Sequence, residues 1–163
     1  MRVALIAFVV ACGTPMPSWV PDAGPCTPFT SEANLMTPQV SFKSDVMPVF
    51  EQHCASSSCH GIADSPKGDL FLGAQLAKGS DSNMVHGALV GKTSTQLPSM
   101  MFVAAGDPTH SYIIHKIDGD QCMYESQCVG TDCQMSMPFS DGLMPVETRD
   151  IVRRWIAQGA NDN

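Results

Sequence analysis

Phe50-Glu51-Gln52-His53-Cys54-Ala55-Ser56-Ser57-Ser58-Cys59-His60-Gly61 is the stretch on which the reading of this chain turns. It sets two thiols five positions apart and an imidazole directly after the second. Two thiols can add across the two vinyl groups of a porphyrin, and a histidine on the same turn of chain then delivers a proximal nitrogen to the iron. The pattern therefore predicts one covalent haem, heme c, held by Cys54 and Cys59 and ligated by His60. The usual spacing for this chemistry is C-x-x-C-H, whereas here four residues separate the thiols. Ala55, Ser56, Ser57 and Ser58 are small or polar, so the two extra positions are expected to bulge away from the ring. A competing reading closes Cys54 and Cys59 into a small disulfide loop and leaves His60 incidental.

Upstream, Phe42, Val46, Val49, Phe50 and His53 recur at the spacing of an amphipathic helix over 41–53, with Ser41 or Ser44 as cap and Pro48 tolerable only near its start. That helix runs into Cys54 and is expected to lay Phe50 against the porphyrin edge. Downstream, 61–102 reads as loops punctuated by glycine, with Leu70 to Leu72 over the haem edge and short helices at 74–78 and 83–90. Met84 and His86 are read there as surface or packing residues. Asp107 and Pro108 start a helix that reaches Lys116, as cap and first helical residue. Tyr112 and Lys116 on it are within reach of a haem propionate, against the plainer reading of a core-edge tyrosine and a solvated lysine. His110 and His115 are weaker candidates for iron ligands, because a lone helical histidine is more often structural.

The second axial ligand is expected in Met135-Ser136-Met137-Pro138-Phe139. Pro138 biases Met137 toward extended backbone, so a strap there can cross the open haem face with its sulfur inward. A neutral thioether raises the potential of the iron relative to a second imidazole. Met137 is the first choice among 11 methionines, Met144 the nearest rival and Met135 the next. The chain closes with a helix over 145–157, begun by Pro145 and Glu147, ended near Arg153, Arg154 and Gly159, and apolar at Ile151, Val152, Trp155 and Ile156. Its apolar face is expected to pack across the first helix.

Residues 1–11 carry one positive charge and a short apolar run, as an export signal does. Val9-Val10-Ala11-Cys12 resembles the lipobox of bacterial lipoproteins, which implies lipidation of Cys12 and anchoring in a membrane through acyl chains. A plain secretory signal with a stray cysteine is the alternative. Gly13 in place of aspartate after the cysteine points to the outer membrane, facing the periplasm or the cell surface. Residues 12–40 hold six prolines from Pro15 to Pro38 with no apolar period, and read as a tether that Cys26 pins to the domain at one point.

Seven cysteines suit an oxidising compartment. One for lipid and two for haem leave Cys26, Cys122, Cys128 and Cys133 for two disulfides, with three connectivities open. Zinc at these cysteines is the competing reading, weakened by the lack of a neighbouring histidine. At 163 residues there is room for one domain, 41–160. A net charge of −7 with no basic cluster speaks against nucleic-acid binding and favours a protein partner with a basic docking surface.

Beyond the thiol pair, Phe42-x-x-Asp45-Val46-x-Pro48-Val49-Phe50, Gly106-Asp107-Pro108-x-x-Ser111-Tyr112, Met137-Pro138-Phe139, and Glu147 with Trp155-Ile156-x-x-Gly159-Ala160 occur in a familiar order. Together they resemble a single-haem c-type cytochrome domain of environmental Gram-negative bacteria, over about residues 41 to 160. The resemblance implies an all-α cytochrome c fold with long loops and crossing N- and C-terminal helices, His60 as proximal and Met137 as distal ligand. Two departures are the thiol spacing and Met144 where the family usually has a Ser or Thr cap. The expected function is electron transfer by Fe(III)/Fe(II) cycling, without a small-molecule substrate. The alternatives are a haem sensor or peroxidase-like protein with an open distal site, and a haem-free, disulfide-stapled lipoprotein acting as a binding module.

Overall fold

Pro48 decides how the first helix begins. Having no N–H and a ring that crowds the preceding turn, it cannot sit inside a regular α-helix. The chain accommodates it with a π-helical segment, Phe42–Val46, that passes directly into α1, Met47–His53, with Pro48 in the first turn. Ser41 caps the segment by accepting from the Ser44 amide. Phe42, Val46, Met47, Val49 and Phe50 are buried, so the expected apolar stripe survives the change of helix type. A computed structural model of the chain describes residues 26–163 other than Leu76, Ser80, Ser140 and Asp141. The expected signal peptide, lipidation of Cys12 and the first part of the tether lie outside the described residues.

Three further α-helices follow: α2, Ser82–Leu89; α3, Tyr112–Asp118; and α4, Val146–Ala157. Short 3-10 segments at Lys67–Asp69, Pro108–His110, Gln121–Gln127 and Val129–Thr131 join them. Among the described residues there is no strand, only isolated bridges such as Val90 to Val103. The chain is therefore mainly helix and loop. α4 packs on the Phe42–Val46 segment and on α3. The Trp155 ring stacks on Phe42 with centroids 4.8 Å apart, which is the expected contact of the last helix with the first.

Three local expectations are corrected. The described residues of 74–78 form a turn rather than a helix, with the Ala77 amide on the Ala74 carbonyl. Left-handed backbone at Gly73, Lys78 and Gly79 brackets a piece too short to pay for helix nucleation. The expected helix from Pro108 to Lys116 is broken in two at Ser111, whose backbone is extended. There the amides of Tyr112 and Ile113 donate to the carbonyls of Met101 and Phe102, and loop pairing replaces a helical turn. Pro145 is the cap of α4 rather than its first residue.

The described part of the proline-rich stretch, from Cys26 to Val40, lies along the domain with many attachments where the sequence suggested one. Cys26 is bonded to Cys122. The Phe29 ring lies 4.4 Å from the Arg149 guanidinium carbon, and its amide donates to Asp120. Ser31 Oγ donates to Asp150, Gln158 Nε2 donates to the carbonyls of Leu35 and Pro38, and Val40 is buried. Beneath this strap Arg149 and Arg153 on α4 pair with Asp118 of α3, and Arg153 also with Asp150. All four charged side chains are buried.

Candidate functional site

α1 ends at His53, and the chain turns back under its own last turn. The amides of Cys54 and Ala55 both donate to the Phe50 carbonyl, Cys59 N–H donates to Ser56, and His60 N–H donates to Cys54. The loop is shut by Gly61, whose N–H reaches the Ser56 carbonyl at 3.0 Å. A side chain at Gly61 has no room, since an added Cβ would stand 2.1 Å from the Ala55 carbonyl oxygen. Ala55 is buried while Ser57 and Ser58 are exposed, so the additional residues between the thiols point outward as their polarity suggested.

Cys54, Cys59 and His60 line a cavity of about 500 Å³ together with Met137. That volume falls in the range of sites that enclose an organic ligand. Its apolar walls come from several parts of the chain: Phe50 of α1, Leu70 and Leu72 of the following loop, Phe102, and Ile113 and Ile117 of α3. Tyr112, Lys116, Gln96 and Thr95 are among its polar lining. Pro138, joined to Met137 by a cis peptide bond, and Phe139 complete the side on which Met137 stands.

The chemistry of the donors fits a covalently held haem. Cys54 and Cys59 are free thiols, and the reading that bridges them to each other does not describe this structure. Cys26–Cys122 and Cys128–Cys133 are the two disulfides, one of the three connectivities left open by the sequence. Burial, reinforced by the nearby Cys59, pushes the Cys54 thiol up to about 12. His60 Nδ1 lies 2.8 Å from the Leu70 carbonyl, and since a carbonyl only accepts, Nδ1 carries the proton and Nε2 keeps its lone pair. This is how a second group fixes the tautomer of a metal-binding histidine. Burial lowers the His60 pKa, against the opposing carbonyls of Leu70 and Lys67, and so favours the neutral ring that can coordinate. Residues that would hold the group are thus Cys54 and Cys59 by thioether bonds and His60 and Met137 at the iron.

The other candidates fall elsewhere. His110 is exposed and pairs with Asp107, while His115 is held between Asp120 and the Thr109 carbonyl; neither lines the cavity. Met144 is buried outside the cavity and Met135 is exposed. Met84 is exposed, and His86 packs edge-on against Phe42 with Nε2 on the Ala160 carbonyl. Tyr112 and Lys116 face the cavity with their polar ends already engaged. Tyr112 Oη donates to Gln96 at 2.7 Å, and Lys116 Nζ donates to the carbonyls of Cys133 and Met135. Burial pulls the Lys116 pKa down to about 8 and raises that of Tyr112. Phe102 and Gln96 were not anticipated, because isolated residues in a loop carry no periodic signal.

Among the described residues no cluster of three His, Cys, Asp or Glu side chains is placed to hold a metal ion, and no helix is long and apolar enough to cross a membrane. No family model, curated protein or solved structure matches the chain.

Proposed function

We propose that this protein is a membrane-anchored, periplasm-facing carrier of single electrons, with one heme c on a cytochrome c-like fold. The observation that carries the reading is the convergence on one cavity of two free thiols, a histidine with its Nδ1 proton committed to a carbonyl, and a methionine. The bound haem supplies a one-electron Fe(III)/Fe(II) couple. Cys54 and Cys59 would fix its position, each through a thioether in which sulfur has added to one vinyl carbon and the thiol proton to its neighbour. His60 and Met137 would be the protein's two ligands to the iron, a pairing that would suit electron transfer rather than substrate chemistry. Phe50, Leu70, Leu72 and Phe102 exclude water from the ring. The net charge of −7 favours a redox partner with a basic docking surface.

The test is a reduced-minus-oxidised visible spectrum with a pyridine haemochrome, on protein exported in a host that carries cytochrome c maturation machinery. An α band typical of two thioether links is the expected result. A colourless, folded product with Cys54 bridged to Cys59, from cells in which a control cytochrome matures, would overturn the proposal and favour the haem-free binding module.

A further inference from the structure

Among the side chains of the cavity wall, Lys116 grips the segment that carries Met137 at three points. It lies near the end of α3 and is 8% exposed. Its Nζ donates to the Cys133 carbonyl at 2.9 Å and to the Met135 carbonyl, and its own carbonyl accepts from the Met137 amide at 2.7 Å. The last contact follows from how the helix ends. The chain leaves α3 through Gly119 in left-handed conformation, and the Asp120 amide turns back to His115. The carbonyl of Lys116 is therefore left for a partner outside the helix, and Met137 provides it. Residues 132–136 belong to no helix or strand, so their carbonyls have no regular backbone partners and are met by side-chain donors or water. An apolar side chain of similar length at 116 would fill the space and leave the carbonyls of Cys133 and Met135 without their ammonium donor.

We propose that Lys116 is a positioning residue for the distal ligand: by holding the strap at Cys133, Met135 and Met137 it keeps the thioether at the cavity wall. The inference rests on the ligation by His60 and Met137 proposed above. Lys116 itself does not coordinate the iron; both its ammonium contacts and its carbonyl act on the strap.

The experiment uses holoprotein and begins with Met137→Ala against wild type. Loss of the weak far-red sulfur-to-iron charge-transfer band in the oxidised variant establishes Met137 as ligand; its persistence, or its absence from wild type, sinks the ligation reading itself. Lys116→Met is then compared with Asp120→Asn, which perturbs the same end of α3 without a contact to residues 132–137. With the haemochrome unchanged, Lys116→Met should weaken the band and tighten imidazole binding to the ferric protein by roughly tenfold to a hundredfold, as expected for loss of hydrogen bonds from a cation. Lys116→Arg should recover most of the wild-type behaviour, and Asp120→Asn should match wild type. Imidazole affinity within about twofold of wild type in Lys116→Met, or an equal change in Asp120→Asn, overturns the positioning role while leaving Met137 as ligand. Should Lys116→Met not accumulate as holoprotein, Lys116→Gln is titrated in the same way. Amide exchange at Met137 in the wild type gives a further reading: protection is expected, and exchange at the rate of unstructured chain overturns the proposal.

Discussion

At the scale of single residues, Gly61 carries the sharpest consequence. Its backbone angle is ordinary, so what demands glycine there is contact with the Ala55 and Ser56 carbonyls, 2.1 and 2.8 Å from an added Cβ. Both are backbone atoms of the loop that holds the thiols, and neither can move without moving Cys54 or Cys59. Gly61→Ala should destabilise the domain by at least about 1–3 kcal/mol and lower the yield of haem-bearing protein. Chemical unfolding and haemochrome content per protein check this, and a variant equal to wild type in both would show that the loop is not packed as described. Residue types and spacing alone named the thiols, the imidazole and the thioether that line the cavity. They did not reveal why the eighth position of the loop, counted from Cys54, admits no side chain.

At the scale of elements, the turn after α3 is held by a pair of titrating groups. Burial opposes charge on both His115 and Asp120, yet their mutual hydrogen bond at 2.8 Å and opposite charges prevail. The His115 pKa is raised, helped by Asp118 and the Thr109 carbonyl, and that of Asp120 is lowered, helped by the Phe29 amide. Tyr124 packs its ring 4.7 Å from that of His115. A raised histidine contributes stability fully below pH 6.5, its ordinary value, and loses it as pH climbs through the folded-state value above that. A lowered aspartate contributes fully above 3.8 and loses it as pH falls through the folded-state value below that. The pair should therefore stabilise most between these limits. Urea unfolding of wild type and Asp120→Asn across pH should show their difference largest in that window and shrinking on both sides. A difference independent of pH would mean that the ion pair is not formed. The apolar periodicity that marked the first and last helices could not mark this turn, because a five-residue loop pairing has no period.

At the scale of the molecule, the strap from Cys26 to Val40 turns an ordinary amphipathic helix into one buried on two sides. Its apolar face, with Val152, Trp155 and Ile156, was readable from a period of 3.6 residues. Arg149, Asp150 and Arg153 lie outside that apolar set, and they are buried because Phe29 and Ser31 cover them. Asp118 is the hinge of that arrangement, accepting from both arginines. Asp118→Ala leaves two buried guanidinium groups short of a partner and should cost about 3–5 kcal/mol, read as a lower urea midpoint. A loss under about 1 kcal/mol would mean that water reaches the cluster. What the sequence by itself determined was the set of helices with strong apolar periods, the capped turn at Asp107, and the identity of the donor side chains, since these depend on neighbours a few residues apart. What only the tertiary structure decided was which cysteines pair, that Met137 and His60 meet the two thiols in one cavity, and that a proline-rich stretch lies over buried charges. Those outcomes join residues as far apart as Cys26 and Cys122, and no local pattern encodes a contact whose partner is 96 positions away.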